Sequence, residues 1–203
     1  MSDKLAVDPA SVPSANIYKL LIGTVVPRPI AFVSTRSPEG VLNLAPFSFF
    51  NVICANPPVV SFACGTRETP KDTITNVRAT GEFVVNIVTE EIAERMNLTS
   101  GEYDASVDEF QVSSLTPVCS DLVGPPAVLE SPVNMECKVL QIIDVSTRPL
   151  GGSLVIGEVV RFHIANAICE DFRIDPEKLR AIGRMGGAGY TRTRDRFEMI
   201  RPK

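Results

Sequence analysis

Two long apolar runs constrain this chain most. Val133 to Val145 and Leu154 to Ile164 are rich in Val and Ile, and Arg148-Pro149-Leu150-Gly151-Gly152 interrupts them. β-Branched runs of that length around a Pro/Gly turn predict two strands lying antiparallel. Upstream, Ile30 to Thr35 and Val41 to Leu44 flank the turn Ser37-Pro38-Glu39-Gly40 and predict a hairpin. Phe47 to Ile53, Val59 to Cys64 (after Asn56-Pro57-Pro58) and Phe83 to Val88 add three more strands. Helices are few and short. Ser14 can cap one that carries Ile17, Leu20 and Leu21, and Asp72 to Ala79 reads as another, closed by Gly81. Glu90 to Leu98 and a segment opened by Asp175-Pro176-Glu177 complete the set. Many strands on tight turns, without βαβ alternation, indicate an antiparallel barrel or sandwich. No GxGxxG lies between a strand and a helix, so a dinucleotide-binding Rossmann unit is not supported.

The 203 residues are read as one domain, 1–203, with a loose segment at 1–13 and a Gly- and Arg-rich tail at 183–203. Thr99 to Pro126, rich in Ser, Asp, Gly and Pro, is expected to run over the surface. The net charge of −4 argues against a nucleic-acid partner. No apolar run approaches the ~20 residues of a membrane helix, and 1–13 has no secretory h-region. A cytoplasmic protein with no membrane association is expected. The five cysteines form no C-x-x-C pair, and the only histidine is His163, so no metal site is expected.

The chemistry is concentrated in two segments. Asn43-Leu44-Ala45-Pro46-Phe47-Ser48-Phe49-Phe50 is apolar yet carries small amide and hydroxyl groups, which suits a flat heterocycle with a polar rim. Pro70-Lys71-Asp72-Thr73, with Asn76 downstream, sets a Lys and a Thr where a helix begins, and exposed amides there favour phosphate. A ring bed followed by a phosphate seat reads as a site for flavin mononucleotide, FMN.

These segments also carry a resemblance. Pro27-Arg28-Pro29-Ile30-Ala31, Ser34-Thr35, Asn43 to Phe50, Pro57-Pro58, Lys71-Asp72-Thr73 with Asn76, and Phe83-Val84-Val85-Asn86 resemble the flavin reductase-like family. Gly157-Glu158-Val159-Val160 and Gly183-Arg184-Met185-Gly186-Gly187 extend the match from about Tyr18 to Tyr190. The resemblance implies a mainly β fold, an antiparallel six-stranded split barrel with short flanking helices. It implies noncovalent FMN at the boundary of a homodimer. It also implies reduction of flavin by NADH or NADPH, often to supply a partner monooxygenase. Other members are electron-transfer flavoproteins, and a barrel repurposed as a binding module is a further alternative. Some NADH-dependent members carry a histidine just before the Gly157 strand, where this chain has Gly151-Gly152-Ser153.

The expected cofactor contacts follow residue by residue. Lys71, Asp72 and Thr73 would seat the phosphate, and Asn43, Ala45, Pro46 and Ser48 would line the ring. Arg28, stiffened between two prolines, suits an anion. Ser34 and Thr35 would reach ribityl or phosphate oxygens, and Arg184 would make a late contact to flavin or substrate. No catalytic residue is assigned, because a flavin carries its own chemistry. His163 is expected to be a strand histidine, satisfied or exposed.

Overall fold

The computed structural model describes residues 3–202. In chain order it holds α1 (Ser14–Thr24), β1 (Ala31–Arg36), β2 (Leu42–Phe47), β3 (Phe50–Ala55), β4 (Pro58–Gly65), α2 (Asp72–Thr80) and β5 (Glu82–Ile87). Then come α3 (Ala93–Leu98), α4 (Glu109–Ser113), the two-residue strands β6 (Pro117–Val118) and β7 (Ala127–Val128), β8 (Val133–Ser146) and β9 (Gly152–Ile164). The C-terminal part holds β10 (Cys169–Glu170), β11 (Arg173–Ile174), α5 (Pro176–Leu179), β12 (Ile182–Arg184) and β13 (Tyr190–Arg192).

The main sheet has seven strands rather than six, in the order β2-β1-β5-β8-β9-β4-β3, with every pair antiparallel. The two apolar runs are its longest strands, β8 and β9. The seven strands correspond to the seven runs read from the sequence, the count of six having come from the resemblance; the run from Phe47 breaks at Ser48-Phe49, so Phe47 closes β2 and Phe50 opens β3. The sheet curls so that its two ends approach without a ladder closing them. The Phe47 ring on β2 lies 5.0 Å from Phe62 on β4, which lies 5.3 Å from Phe83 on β5.

Alternation along the strands sorts the residues. Ala31 and Val33 of β1 with Ala45 and Phe47 of β2 enter the barrel core, alongside Val60, Phe62, Phe83, Val85 and Val155. Phe32 and Leu44 point the other way, into a second cluster with Ile92, Met96 and Phe110 under α3 and α4. Gly157 of β9 is where the core is tightest. A Cβ there would lie 2.5 Å from the Phe83 ring, so only glycine lets the ring rest on the backbone.

Helix α2 follows its sequence closely. Thr73, Ile74, Asn76 and Val77 form its buried face, and Gly81 ends it at φ 72° with its N–H on the Val77 carbonyl. Part of the segment expected to skirt the surface is instead structural. Asp108 caps α4 by accepting the Phe110 N–H, and Glu109, Phe110 and Ser113 are buried. Helix α1 begins at Ser14 but draws no side-chain cap from it, and none of its residues is buried. No helix among the described residues is long and apolar enough to cross a membrane.

Candidate functional site

The ring-bed strand and the start of α2 meet at one cleft of about 940 Å³. Asn43, Ala45 and Pro46 of β2 form one wall, and Lys71, Asp72 and Thr73 form the base beneath the start of the helix. Segment 66–70 and the β8–β9 turn, through Thr147, Pro149 and Leu150, close one side. Residues 99–105 and Glu109 close the other.

Asn43 fastens the wall to the helix. Its side-chain amide donates to Thr35 Oγ1 at 2.9 Å and to Thr73 Oγ1 at 3.0 Å, and Asn76 Nδ2 donates to the same Thr35 oxygen at 3.1 Å. Thr35 is therefore a buried post beneath the site. With both amide hydrogens committed, the Asn43 carbonyl oxygen receives no hydrogen bond from the described residues, in a side chain that lines the cleft.

Lys71 stands at the N-cap of α2, its backbone extended at ψ 143°. Its ammonium lies 5.1 Å from the Phe47 ring centroid, which holds a cation over an aromatic face. Burial lowers its pKa, and Arg67 nearby adds to the effect. Lys71 forms no ion pair among the described residues, whereas Arg67 is engaged with Glu102 at 2.9 Å. The bonded amides of α2 begin at Ile74 and Thr75, both donating to the Lys71 carbonyl, and the Asp72 N–H is turned to its own carboxylate.

Acidic groups share the cleft. Burial raises the Asp72 carboxyl, and Asp104 adds to it. Glu109 is also raised by burial, against the pull of the Leu44 N–H that donates to its Oε2 at 3.0 Å. That bond satisfies a donor on the outer edge of β2, where Pro46 offers none. Glu109 was hidden in sequence by its loop-like surroundings; the signal was the capping pair Asp108-Glu109 before Phe110.

Five of the expected contacts do not line this cleft, Thr35 among them because it is fully buried beneath it. Ser34 follows the opposite face from Thr35 and donates to the Pro126 carbonyl at 2.5 Å. Arg28 is buried, and its guanidinium donates to the carbonyls of Ile22 and Val25 at 2.7 Å each and of Met185 at 2.9 Å. These bonds clamp the end of α1 to the C-terminal ribbon. Ser48 lies 3.4 Å from Arg28 Nε. Arg184 donates to the Gly187 carbonyl at 2.6 Å and covers the Tyr190 ring at 4.4 Å.

His163 sits on β9 as expected, with Nε2 2.5 Å from Oε1 of the buried Glu136. Glu136 also accepts the N–H groups of Asp121 and Leu122. Asp121, Glu136 and His163 bring one donor atom each within 4.8 Å of one another, but these bonds already engage Glu136 in holding the 121–122 turn.

The flavin reductase-like domain matches residues 22–173, three quarters of the sequence and all of the cleft-lining segments. The chain belongs to the flavin reductase-like family. Its fold superimposes on nitrilotriacetate monooxygenase component B from Bacillus cereus with a TM-score of 0.93, at 37% identity over 97% of this chain and 98% of that one. It is similar to the 2-nitrobenzoate 2-nitroreductase of Pseudomonas fluorescens, with a TM-score of 0.89 and 32% identity over 98% of this chain and 96% of the other. A protein with a split barrel domain from Shewanella frigidimarina shares the fold at TM-score 0.83 and 24% identity, covering 96% of each chain. The curled seven-strand sheet is thus the split barrel of the flavin reductase-like proteins.

Proposed function

We propose that this chain binds FMN in the cleft and works as an oxidoreductase, passing hydride from NADH or NADPH to flavin or onward to an acceptor. The observation that carries the reading is Lys71. It is a part-buried ammonium without a carboxylate partner among the described residues, set at the N-cap of α2, the end of the helix that favours negative charge. A phosphate answers both. The open Asn43 carbonyl oxygen supplies a polar partner for a heterocycle lying along Ala45 and Pro46. A cleft of about 940 Å³ is large enough for such a cofactor.

In this account Lys71 and Thr73 hold the phosphate, and Thr35 keeps Asn43 and Thr73 in place. FMN would supply hydride acceptance and donation. The protein orients the ring on the edge strand β2 and leaves room in the cleft for the donor.

Partners follow from two observations. The neighbour named as a monooxygenase component supports delivery of reduced flavin to a separate monooxygenase. The apolar side chains left exposed on α1 and the residue after it (Leu20, Leu21, Val25) and on β3 (Val52, Ile53) support a homodimer.

The test is a visible spectrum of purified protein with added FMN, followed by anaerobic NADH and NADPH. Flavin absorption that bleaches at a catalytic rate supports the reading. Bound flavin that ignores both nucleotides makes the protein an electron carrier, and no binding removes the cofactor from the account.

A further inference from the structure

We infer that the outer part of this cleft selects a nicotinamide donor that lacks a 2′-phosphate, NADH over NADPH. The inference rests on the flavin reading above and deepens it. Lys71 and Arg67 are the cleft's two cationic side chains, against the acidic Glu68, Asp72, Glu102, Asp104 and Glu109. Arg67 is already spent on Glu102 at 2.9 Å. Lys71 is therefore the one cation lining the cleft that forms no ion pair among the described residues, and a single phosphate uses it up.

The hollow is built for a polar ligand and is not a chance cluster of acids. Asn43 and Glu109 are each more than nine-tenths buried, and each sets a side-chain oxygen without a hydrogen bond from the described residues toward the cleft. Beyond them, Glu68 and Asp104 stand on the rim with no ion-pair partner among the described residues. Arg148, between Thr147 and Pro149, is exposed but does not line the cleft.

A dinucleotide whose nicotinamide reaches the ring bed must carry its adenosine half across that rim. NADPH would bring two further negative charges to a surface that already has an acidic excess. NADH shares the pyrophosphate and the ring with NADPH and lacks only those two charges. Charges of one sign at close range disfavour the wrong partner, and salt weakens the effect.

The experiment is calorimetric titration of the FMN-loaded protein with NAD⁺ and NADP⁺, which bind without reacting, at low and high salt. The prior FMN titration registers separately any failure of the flavin reading, and the nucleotides are then titrated into the chain as purified. The expected result is NAD⁺ binding about tenfold or more tighter than NADP⁺ at low salt, with the gap narrowing as salt rises. The variant Glu68→Gln/Glu102→Gln/Asp104→Asn should raise NADP⁺ affinity more than NAD⁺ affinity. Thermal unfolding checks that it is folded, and the salt series on the parent protein stands if it is not. Equal or tighter NADP⁺ binding, a gap that ignores salt, or no binding of either nucleotide would overturn the inference.

Discussion

Asn43 Nδ2 lies 3.0 Å from Thr73 Oγ1, so one buried hydrogen bond ties the edge strand β2 to the first turn of α2. The bond holds the ring bed and the phosphate seat in fixed relation. Asn43→Leu removes it and leaves the Thr35 and Thr73 hydroxyls without their shared donor. Stability should fall by about 1–3 kcal/mol, the cost of stranding buried polar groups, read by urea unfolding. FMN affinity should fall with it in a fluorescence titration. Wild-type values for both would remove Asn43 from its role.

Gly157 and Phe83 test the packing. Gly157→Ala drives a methyl into the Phe83 ring, and overpacking of this kind typically costs about 1–3 kcal/mol. Reducing the ring with Phe83→Leu in the same chain should recover part of the loss. An unchanged melting temperature for Gly157→Ala would mean that the core yields there.

Thr89 offers a gain. Its hydroxyl is buried and receives no hydrogen bond among the described residues. Thr89→Val keeps the shape and removes a stranded polar group, so stability should rise by up to about 1 kcal/mol. A fall of similar size in chemical denaturation would show that the hydroxyl has a partner in solution.

Glu90 sets an acid dependence. Arg180, Arg192 and Arg194 all converge on its carboxylate, latching the β12–β13 ribbon to the segment after β5. Hydrogen bonds from Arg194, then Arg180, hold its pKa down at about 2, against an ordinary value of 4.5. A carboxyl depressed in the folded state stabilises fully above its unfolded pKa and loses that contribution as pH falls toward the folded one. The protection of the ribbon amides, exchange measured against its intrinsic rate at each pH, should therefore fall between about pH 4.5 and 2. Glu90→Gln should show the faster exchange already at neutral pH. Protection that is flat across that window and unaltered in the variant would show that the latch is idle.

Much of this fold was legible because its signals are local. The Val/Ile runs of β8 and β9, the Ser37 to Gly40 turn and the Gly81 stop of α2 each act within a few residues. The two readings of the site fared differently for the same reason. Lys71, Asp72 and Thr73 belong to one helix start and arrive together, as do Asn43, Ala45 and Pro46 on one strand. Ser34 and Thr35 look equivalent as neighbours, yet a strand points them to opposite faces. Arg28 reads in sequence as a stiff arginine suited to an anion, and sequence does not reveal carbonyls converging from Ile22, Val25 and the distant Met185. Glu109 was missed because its role depends on the outer edge of β2, more than sixty residues away in sequence.

The most direct test of the central claim compares FMN with riboflavin, which lacks the phosphate, by fluorescence titration of the parent protein and Lys71→Met. The account predicts that the parent binds FMN far more tightly than riboflavin. Lys71→Met should lose most of that difference, about 1.5–3 kcal/mol for charge-assisted bonds, while riboflavin binding stays nearly level. Equal affinity of the parent for both compounds, or an FMN preference that survives the loss of Lys71, would contradict it.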